Sequence, residues 1–222
     1  MFGHLRAFVF DFDGTVAATH IDFAAMREDA YGLLREFGVF SDELTGHMVL
    51  EMVALAQERL GPDSEEALEL GRRIQAVLQR REIEAAKRGA PVPGVPEALA
   101  ALRRQGKLVG VITRNCRAAV AAFTARYPLE WDALVTRDEA RAVKPDPAHL
   151  LQALEELGVA PGEAAMVGDH WSDIACGRDA GVWTIGVLTS QSTPERLREA
   201  GANLVIESAA LVPAQMSEVG EK

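Results

Sequence analysis

The sequence predicts an α/β fold with a doubly wound parallel sheet, whose first strand is separated from the others by an inserted block of helices. From about residue 108 onward, short apolar runs alternate with amphipathic helical patterns. A similar apolar run lies near the start of the chain, and only helical periodicity is found between them. Short strands that alternate with helices are typical of a parallel sheet covered by helices on both faces.

The first predicted strand, residues 5–14, reads LRAFVFDFDG and ends on two acids. Asp and Gly are poor strand formers, and two like charges two residues apart point to the same side and repel each other. The pair Asp11 and Asp13 therefore needs either a compensating charge or a function.

The inserted block, residues 21–89, is expected to form three helices. Apolar residues spaced by three and four predict a helix over 23–37. The second helix is predicted over 41–61, with Ser41 or Asp42 as its cap and Gly61 at its end. The third is predicted over 62–89, with a break near Gly71. The proline-rich residues 90–99 then indicate a hinge or domain boundary.

Strands and helices alternate after this hinge. Asp146 is expected to cap a helix whose first residue is Pro147, and Thr193 is expected to cap another. The predicted strands are 108–113, 131–136, 164–168, 182–187 and 203–206, and the predicted helices are 115–127, 146–158, 171–181 and 193–201.

Length and charge restrict the class of partner. The chain has 222 residues, 48% of them hydrophobic, and a net charge of −10. Nucleic acids and anionic membranes both favour basic surfaces, so neither is an expected partner. The sequence shows no signal peptide and no apolar run of the roughly 18 residues that a membrane span needs. We expect a cytoplasmic monomer or homodimer.

Polar residues follow the predicted strands where each strand ends. In such sheets, ligands bind beyond the carboxyl ends of the strands, so these residues should converge. Several carboxylates at one edge would repel unless a cation lies among them, and Mg²⁺ prefers oxygen ligands. A lysine and a hydroxyl add donors for an anion, which suits phosphoryl transfer. The converging residues are Asp11, Asp13, Thr113, Arg114, Asn115, Lys144, Asp169 and Asp173.

These residues resemble the four motifs of the haloacid dehalogenase superfamily phosphatases. DFDGT resembles the first motif, VIT the second, VKPDP the third and VGDHWSD the fourth, in the family's order over residues 9–187. The helical insert resembles the cap of the phosphoglycolate-phosphatase-like branch. The resemblance implies a Rossmann-like core domain, residues 1–18 and 92–222, with a helical cap domain over 19–91.

The resemblance also implies a function and a role for each residue. The chain is expected to be a Mg²⁺-dependent phosphatase for the phosphate monoester of a small, phosphoglycolate-like metabolite. Asp11 would attack phosphorus and form an aspartyl-phosphate, and Asp13 would be the general acid and base. Mg²⁺ would bind the Asp11 carboxylate, the Asp13 main-chain carbonyl and Asp169, with Asp173 supporting it through water or Lys144. Phosphate would be bound by Thr113, Lys144 and Arg114, although Arg114 could equally lie on the surface.

Two other functions remain open at this stage. The sugar phosphomutases of the superfamily carry a histidine shortly after the first motif, near the position of Phe23, and His20 is out of step with it. A receiver-like phosphate-sensing protein would also combine acids, a threonine and a lysine on a parallel sheet. Receivers, however, lack a large helical insert after the first strand.

Overall fold

The structure is a computed structural model and describes residues 3–190 and 192–217. The chain divides into two compact units, residues 1–20 with 86–222, and residues 21–85. The first unit contains the sheet, and the second is helical. The interpretation of the helical unit as a cap domain with bounds 19–91 stays a prediction.

A parallel sheet of six strands forms the centre of the first unit, in the order β5-β4-β1-β6-β7-β8. The central strand β1 pairs with β4 on one side and β6 on the other, with Asp11 opposite Ile112 and Phe10 opposite Val167. The strands are β1 Ala7–Asp11, β2 Ala17–Ala18, β3 Ala90–Pro91, β4 Leu108–Ile112, β5 Ala133–Val135, β6 Ala164–Gly168, β7 Trp183–Val187 and β8 Leu204–Ile206. The parallel, doubly wound α/β prediction is confirmed.

The helices are α1 Phe23–Glu36, α2 Val49–Leu60, α3 Glu65–Arg88, α4 Val95–Arg104, α5 Arg117–Thr124, α6 Ala148–Leu157, α7 Trp171–Asp179, α8 Pro194–Glu199 and α9 Val212–Ser217. Thr193 caps α8 as predicted, since its side chain accepts from the N–H of Arg196. None of the helices in the described part of the chain has both the length and the apolar character that a membrane crossing requires.

Apolar side chains cover both faces of β1, and all five of its residues are buried. On one face Val9 packs in a cluster with residues of β6, α6 and α7, including Met166, Leu154 and Cys176. Phe8 and Phe10, which point to the opposite side, are also fully buried. Burial on both faces holds the carboxyl end of β1 in a fixed position, which is where Asp11 lies.

The helical unit has its own core. Asp22 caps α1 by accepting from the N–H of Ala25 at 2.9 Å. The buried residues of the three helices form one cluster, which contains Met26, Ala30, Leu34, Met52, Ala56, Leu70, Ile74 and Leu78.

Two helix predictions in this unit were wrong in detail. The second helix begins at Val49 rather than residue 41, and a 3₁₀ turn, Asp42–Gly46, precedes it. The Arg27 guanidinium donates to the carbonyls of Thr45 and His47, at 3.0 and 2.8 Å. These bonds stabilise the separation of the 3₁₀ turn from α2. Gly71 does not break α3. A Cβ there would lie 2.6 Å from the Gln57 amide nitrogen, so the glycine leaves room for this amide, which donates to the carbonyl of Ala67 at 2.9 Å.

The proline-rich segment contains more structure than predicted. Ala90 and Pro91 form strand β3, which pairs antiparallel with β2, so that Ala17 lies opposite Pro91. Helix α4 begins at Val95, and Pro96 occupies its first turn, where a missing N–H has no helical partner to lose. The chain therefore enters and leaves the inserted block through a two-stranded ladder.

Candidate active site

The predicted site residues converge at the carboxyl edge of the sheet. Asp11 is the last residue of β1, Thr113 follows β4 and Asp169 follows β6. Because β4 and β6 are the two neighbours of β1, these three positions lie side by side. Lys144 reaches the same place from the loop between β5 and α6.

A buried ion-pair network links Lys144 to two acids. Its ammonium contacts the Asp11 carboxylate and lies 2.7 Å from Oδ1 of Asp173. The side chains of Lys144 and Asp173 are each 2% exposed. Burial alone would lower the pKa of Lys144, but the carboxylates of Asp11 and Asp173 raise it above its usual value. This lysine therefore carries its charge at neutral pH.

Asp173 is fixed at the start of α7. Its Oδ2 accepts from the main-chain N–H of His170 at 3.0 Å, and it lies three residues after His170, where the helix dipole favours an acid. A Cβ on Gly168 would lie 2.3 Å from this oxygen. The glycine at the end of β6 thus allows Asp173 to fold back over the strand towards Lys144.

Asp169 has two hydroxyl partners. Thr189, which follows β7, donates to Oδ2 at 2.9 Å, and Thr15 donates to Oδ1 at 3.4 Å. Gly14, at φ +94°, passes so close that a Cβ would lie 2.5 Å from Oδ2. Burial and the charge of Asp173 raise the pKa of Asp169 to about 6. Sequence reasoning missed Thr189, because a lone threonine two residues after a strand gives no pattern.

Asp13 lies in the turn after β1, and its carboxylate accepts from several neutral donors. Thr19 donates to Oδ1 at 2.6 Å, Thr113 donates to Oδ2 at 3.3 Å, and the Asn115 amide lies 3.2 and 3.1 Å from the two oxygens. The turn closes through the N–H groups of Val16 and Ala17, which both donate to the carbonyl of Phe12. Two acids that lie two residues apart in sequence therefore have different partners.

Asn115 has a larger role than its sequence position indicated. The sequence placed it among the converging residues without indicating a specific partner. Its Oδ1 does accept from the N–H of Cys116 at 2.8 Å, but its amide nitrogen is directed at Asp13. The capping position of α5 is Cys116. Asn115 thus joins the start of α5 to the turn after β1.

Arg114 lies between Thr113 and Asn115 and is half-buried. Its carbonyl accepts from the Arg137 guanidinium at 2.6 Å. Its charge is close enough to contribute to lowering the pKa values of His149 and His170. The arginine is therefore beside the site, and phosphate binding by its side chain stays a prediction.

The acids can accommodate a metal ion. Oxygens of Asp11, Asp169 and Asp173 all lie within 4.8 Å of one another. Burial raises the pKa of Asp11 well above its usual range; Lys144 opposes this rise, and the neighbouring acids, Asp173 first among them, add to it. Since the pKa of Asp169 is raised as well, one lysine does not neutralise the three carboxylates. A divalent cation with a preference for oxygen ligands would do so.

The arrangement combines three chemical capabilities at one edge of the sheet. Asp11 presents a carboxylate that can act as a nucleophile, and Lys144 supplies a fixed positive charge against which an anion can be bound. Asp13, two residues away, has a separate set of partners and can transfer a proton. These are the groups that a phosphoryl-transfer site with a covalent intermediate requires.

Comparison with known proteins gives the family and the fold that this chain matches. The family model of haloacid dehalogenase-like hydrolases matches residues 5–181. An N-acetylmuramic acid 6-phosphate phosphatase from Pseudomonas aeruginosa is 34% identical over 86% of this chain and 85% of the relative. A plasmid-encoded phosphoglycolate phosphatase from Cupriavidus necator is 33% identical over 58% of this chain and 57% of the relative. The crystal structure of a phosphonoacetaldehyde hydrolase-like protein from Oleispira antarctica has the same fold, with a TM-score of 0.71 at 21% identity over 98% of this chain and 93% of the other.

Proposed function

This chain belongs to the haloacid dehalogenase-like hydrolase family, and on that premise we propose that it is a Mg²⁺-dependent phosphatase acting through an aspartyl-phosphate. Its substrate would be the phosphate monoester of a small, phosphoglycolate-like metabolite. The observation that carries the proposal is the position of Asp11, buried at the end of the central strand against Lys144. Asp13 lies two residues away with its own hydrogen-bond donors.

Asp11 is the proposed nucleophile. One of its carboxylate oxygens attacks phosphorus, the phosphorus–oxygen ester bond breaks, and the bonding electrons leave with the alcohol oxygen. Lys144 favours the ionised form of Asp11 against the effect of burial, which raises its pKa. The same ammonium stabilises negative charge on the transferring phosphoryl group.

Asp13 is the proposed general acid and base. It gives its proton to the departing alcohol oxygen and then takes one from the water that attacks the aspartyl-phosphate. That second step releases inorganic phosphate and regenerates the Asp11 carboxylate. Donors from Thr19, Thr113 and Asn115 hold the Asp13 carboxyl in place through both steps.

Mg²⁺ would be held by the Asp11 carboxylate, Asp169 and the main-chain carbonyl of Asp13, and when bound it supplies positive charge that offsets the charge of the phosphate. Asp173 contacts Lys144, which supports the predicted indirect role for this acid. Thr113, Lys144 and Arg114 are the proposed phosphate contacts. The helical insert, residues 19–91, is proposed as the family's cap domain.

Two relatives support a small phosphorylated substrate, since their names specify N-acetylmuramic acid 6-phosphate and phosphoglycolate. The net charge of −10 opposes a nucleic-acid substrate. We propose a cytoplasmic enzyme that is a monomer or homodimer. A phosphomutase would transfer the phosphoryl group back to a sugar, and a receiver-like protein would retain it on Asp11.

The test is hydrolysis of p-nitrophenyl phosphate with and without Mg²⁺. We expect release of inorganic phosphate, its loss on chelation with EDTA and its recovery with added Mg²⁺. Asp11→Asn should abolish turnover without unfolding the protein, whereas Asp63→Asn, at an exposed loop acid, should keep full activity. Hydrolysis that survives exhaustive chelation would contradict the metal requirement. Undiminished activity in folded D11N would contradict the assignment of the nucleophile.

Screening against a panel of small phosphate monoesters then addresses the substrate. Phosphorylation of the protein without turnover of any ester would favour the receiver-like function. Isomerisation of a sugar phosphate without net release of phosphate would favour the phosphomutase.

A further inference from the structure

His149 is a completely buried histidine that the proposed chemistry does not use. It is the second residue of α6, its exposed fraction is 0%, and it lies five residues after Lys144. A buried imidazole needs partners for both ring nitrogens, because an unpaired polar group in a protein interior is costly.

Both nitrogens of His149 have main-chain partners. The N–H of Lys144 lies 3.2 Å from Nδ1, and the carbonyl oxygen of Val135 lies 3.1 Å from Nε2. A main-chain N–H can only donate, so Nδ1 is the acceptor. The ring proton is therefore on Nε2, which donates to Val135. These two bonds assign the tautomer.

The imidazole is also neutral at physiological pH. Burial and the charge of Lys144 lower the pKa of His149 to about 4. Its Nδ1 lone pair thus stays available to the Lys144 N–H, whereas a protonated ring would have no acceptor to offer.

We propose that His149 is a positioning residue, which fixes the main chain of Lys144 to the end of β5 and thereby sets the position of the ammonium against Asp11. The assignment rests on the proposed function, since it gives the lysine a place in phosphoryl transfer. A continuous series of contacts connects β5 to Asp11. Val135 belongs to the sheet, His149 bridges it to the main chain of Lys144, and the lysine side chain contacts Asp11.

The other contacts of this loop hold residues on either side of Lys144, such as the bond from the Asp146 N–H to the Val143 carbonyl at 3.1 Å. The Asp146 carboxylate accepts from the N–H of Ala148 at 2.8 Å, and the Cys176 thiol lies 3.3 Å from the Asp146 carbonyl. The His149 bond acts on Lys144 itself. Because a displacement of about 1 Å in a catalytic group can reduce a rate by about 100-fold, this bond matters for turnover.

Two variants separate positioning from simple structural support. In His149→Asn, the amide oxygen replaces Nδ1 as an acceptor for Lys144, but the side chain does not reach Val135. In His149→Gln, the amide nitrogen replaces Nε2 as the donor to Val135, and the acceptor for Lys144 is lost. Each variant removes one hydrogen bond from the same buried position, so both should lose stability.

The readouts are kcat and KM for p-nitrophenyl phosphate with saturating Mg²⁺, together with urea denaturation. We expect kcat of H149Q to fall about tenfold with little change in KM, and kcat of H149N to stay within about threefold of wild type. Equal kcat losses in the two variants, or none in H149Q, would overturn the proposal.

A second measurement does not depend on activity. In ¹⁵N NMR spectra, the ring nitrogens of His149 should report the Nε2–H tautomer, and the buried ammonium of Lys144 should exchange its protons slowly. We expect faster exchange at Lys144 in H149Q than in H149N. If the wild-type protein is inactive but this exchange pattern is found, the proposed phosphatase activity is refuted and the positioning role of His149 is retained. The opposite tautomer, or equal exchange in both variants, would refute the positioning role alone.

Discussion

Replacing Lys144 with methionine tests whether the site depends on a single buried positive charge. Methionine is apolar and unbranched, so it removes the charge while keeping much of the packing. In the native protein the Lys144 ammonium contacts Asp11 and Asp173, and its side chain is 2% exposed. The variant would leave three acids with oxygens within 4.8 Å of one another and without this cation.

The expected cost follows from that burial. Removing one partner of a buried ion pair typically destabilises a protein by about 3–5 kcal/mol, because the remaining charge stays desolvated. Two carboxylates lose their partner here, but either can take up a proton, which limits the penalty. We therefore expect K144M to reduce the free energy of unfolding by about 4 kcal/mol at pH 7.5, a large share of the roughly 5–15 kcal/mol typical of native proteins.

The assay is urea denaturation in EDTA, with Arg141→Met as the matched control. Arg141 and Glu155 form an ion pair at 2.8 Å whose side chains are 64% and 58% exposed. Breaking such a surface pair should cost at most about 1 kcal/mol. Added Mg²⁺ should restore part of the stability of K144M, because the cation replaces the missing charge.

A loss in K144M no larger than that in R141M would refute the reasoning. If K144M does not fold, Asp173→Asn provides a smaller perturbation, which removes one of the two ion pairs of the lysine. D173N should then be less stable to urea than wild type and R141M, but unlike K144M it should still fold. Stability of D173N equal to wild type would contradict the importance of the network.

Two further predictions concern the surroundings of this network. His149, which faces Lys144, Asp173 and Arg114, has its pKa lowered to about 4 from 6.5, so the unfolded chain binds a proton first on acidification. Between pH 6.5 and 4, the free energy of unfolding of wild type should therefore fall by about 3 kcal/mol relative to that of H149Q. Parallel stability curves from urea denaturation of the two proteins would contradict this. Gly168→Ala places a Cβ 2.3 Å from the Asp173 carboxylate and should reduce the free energy of unfolding, measured with urea, by about 1–3 kcal/mol. The control Gly162→Ala, whose Cβ would have nothing within 4 Å, should be nearly neutral. Equal losses of stability in the two variants would rule out the steric explanation.

The sheet and the convergence of the site could be predicted because they depend on patterns that repeat. Short apolar strands alternating with helices specify a parallel sheet, and polar residues after each strand then meet at one edge. Asp11, Thr113 and Asp169 were brought together by this rule. The prediction needed no knowledge of side-chain contacts.

The residues that orient these groups could not be predicted in the same way. The contacts of Thr189 and His149, and the bonds from Asn115 to Asp13, form only in the folded chain, and a lone polar residue produces no periodicity. The helix predicted from residue 41 failed for a related reason. The amphipathic spacing of the sequence extends back through residue 48 to residue 41. In that stretch, however, the carbonyls of Thr45 and His47 accept from Arg27, which is a tertiary contact. Local patterns cannot reveal such a competitor.

The different surroundings of Asp11 and Asp13 account for the two acids at the end of one strand. Two carboxylates in close proximity repel, and the charge of Asp13 indeed contributes to raising the pKa of Asp11. Asp11 faces an ammonium, which favours its ionised form, whereas Thr19, Thr113 and Asn115 give Asp13 neutral partners. The proposed reaction needs a charged nucleophile and a neighbouring acid that can hold a proton in the same step. Lys144 contacts Asp11 and favours the ionised form of this acid, so the position of the lysine, and the His149 bond proposed to support it, bear directly on the proposed nucleophile.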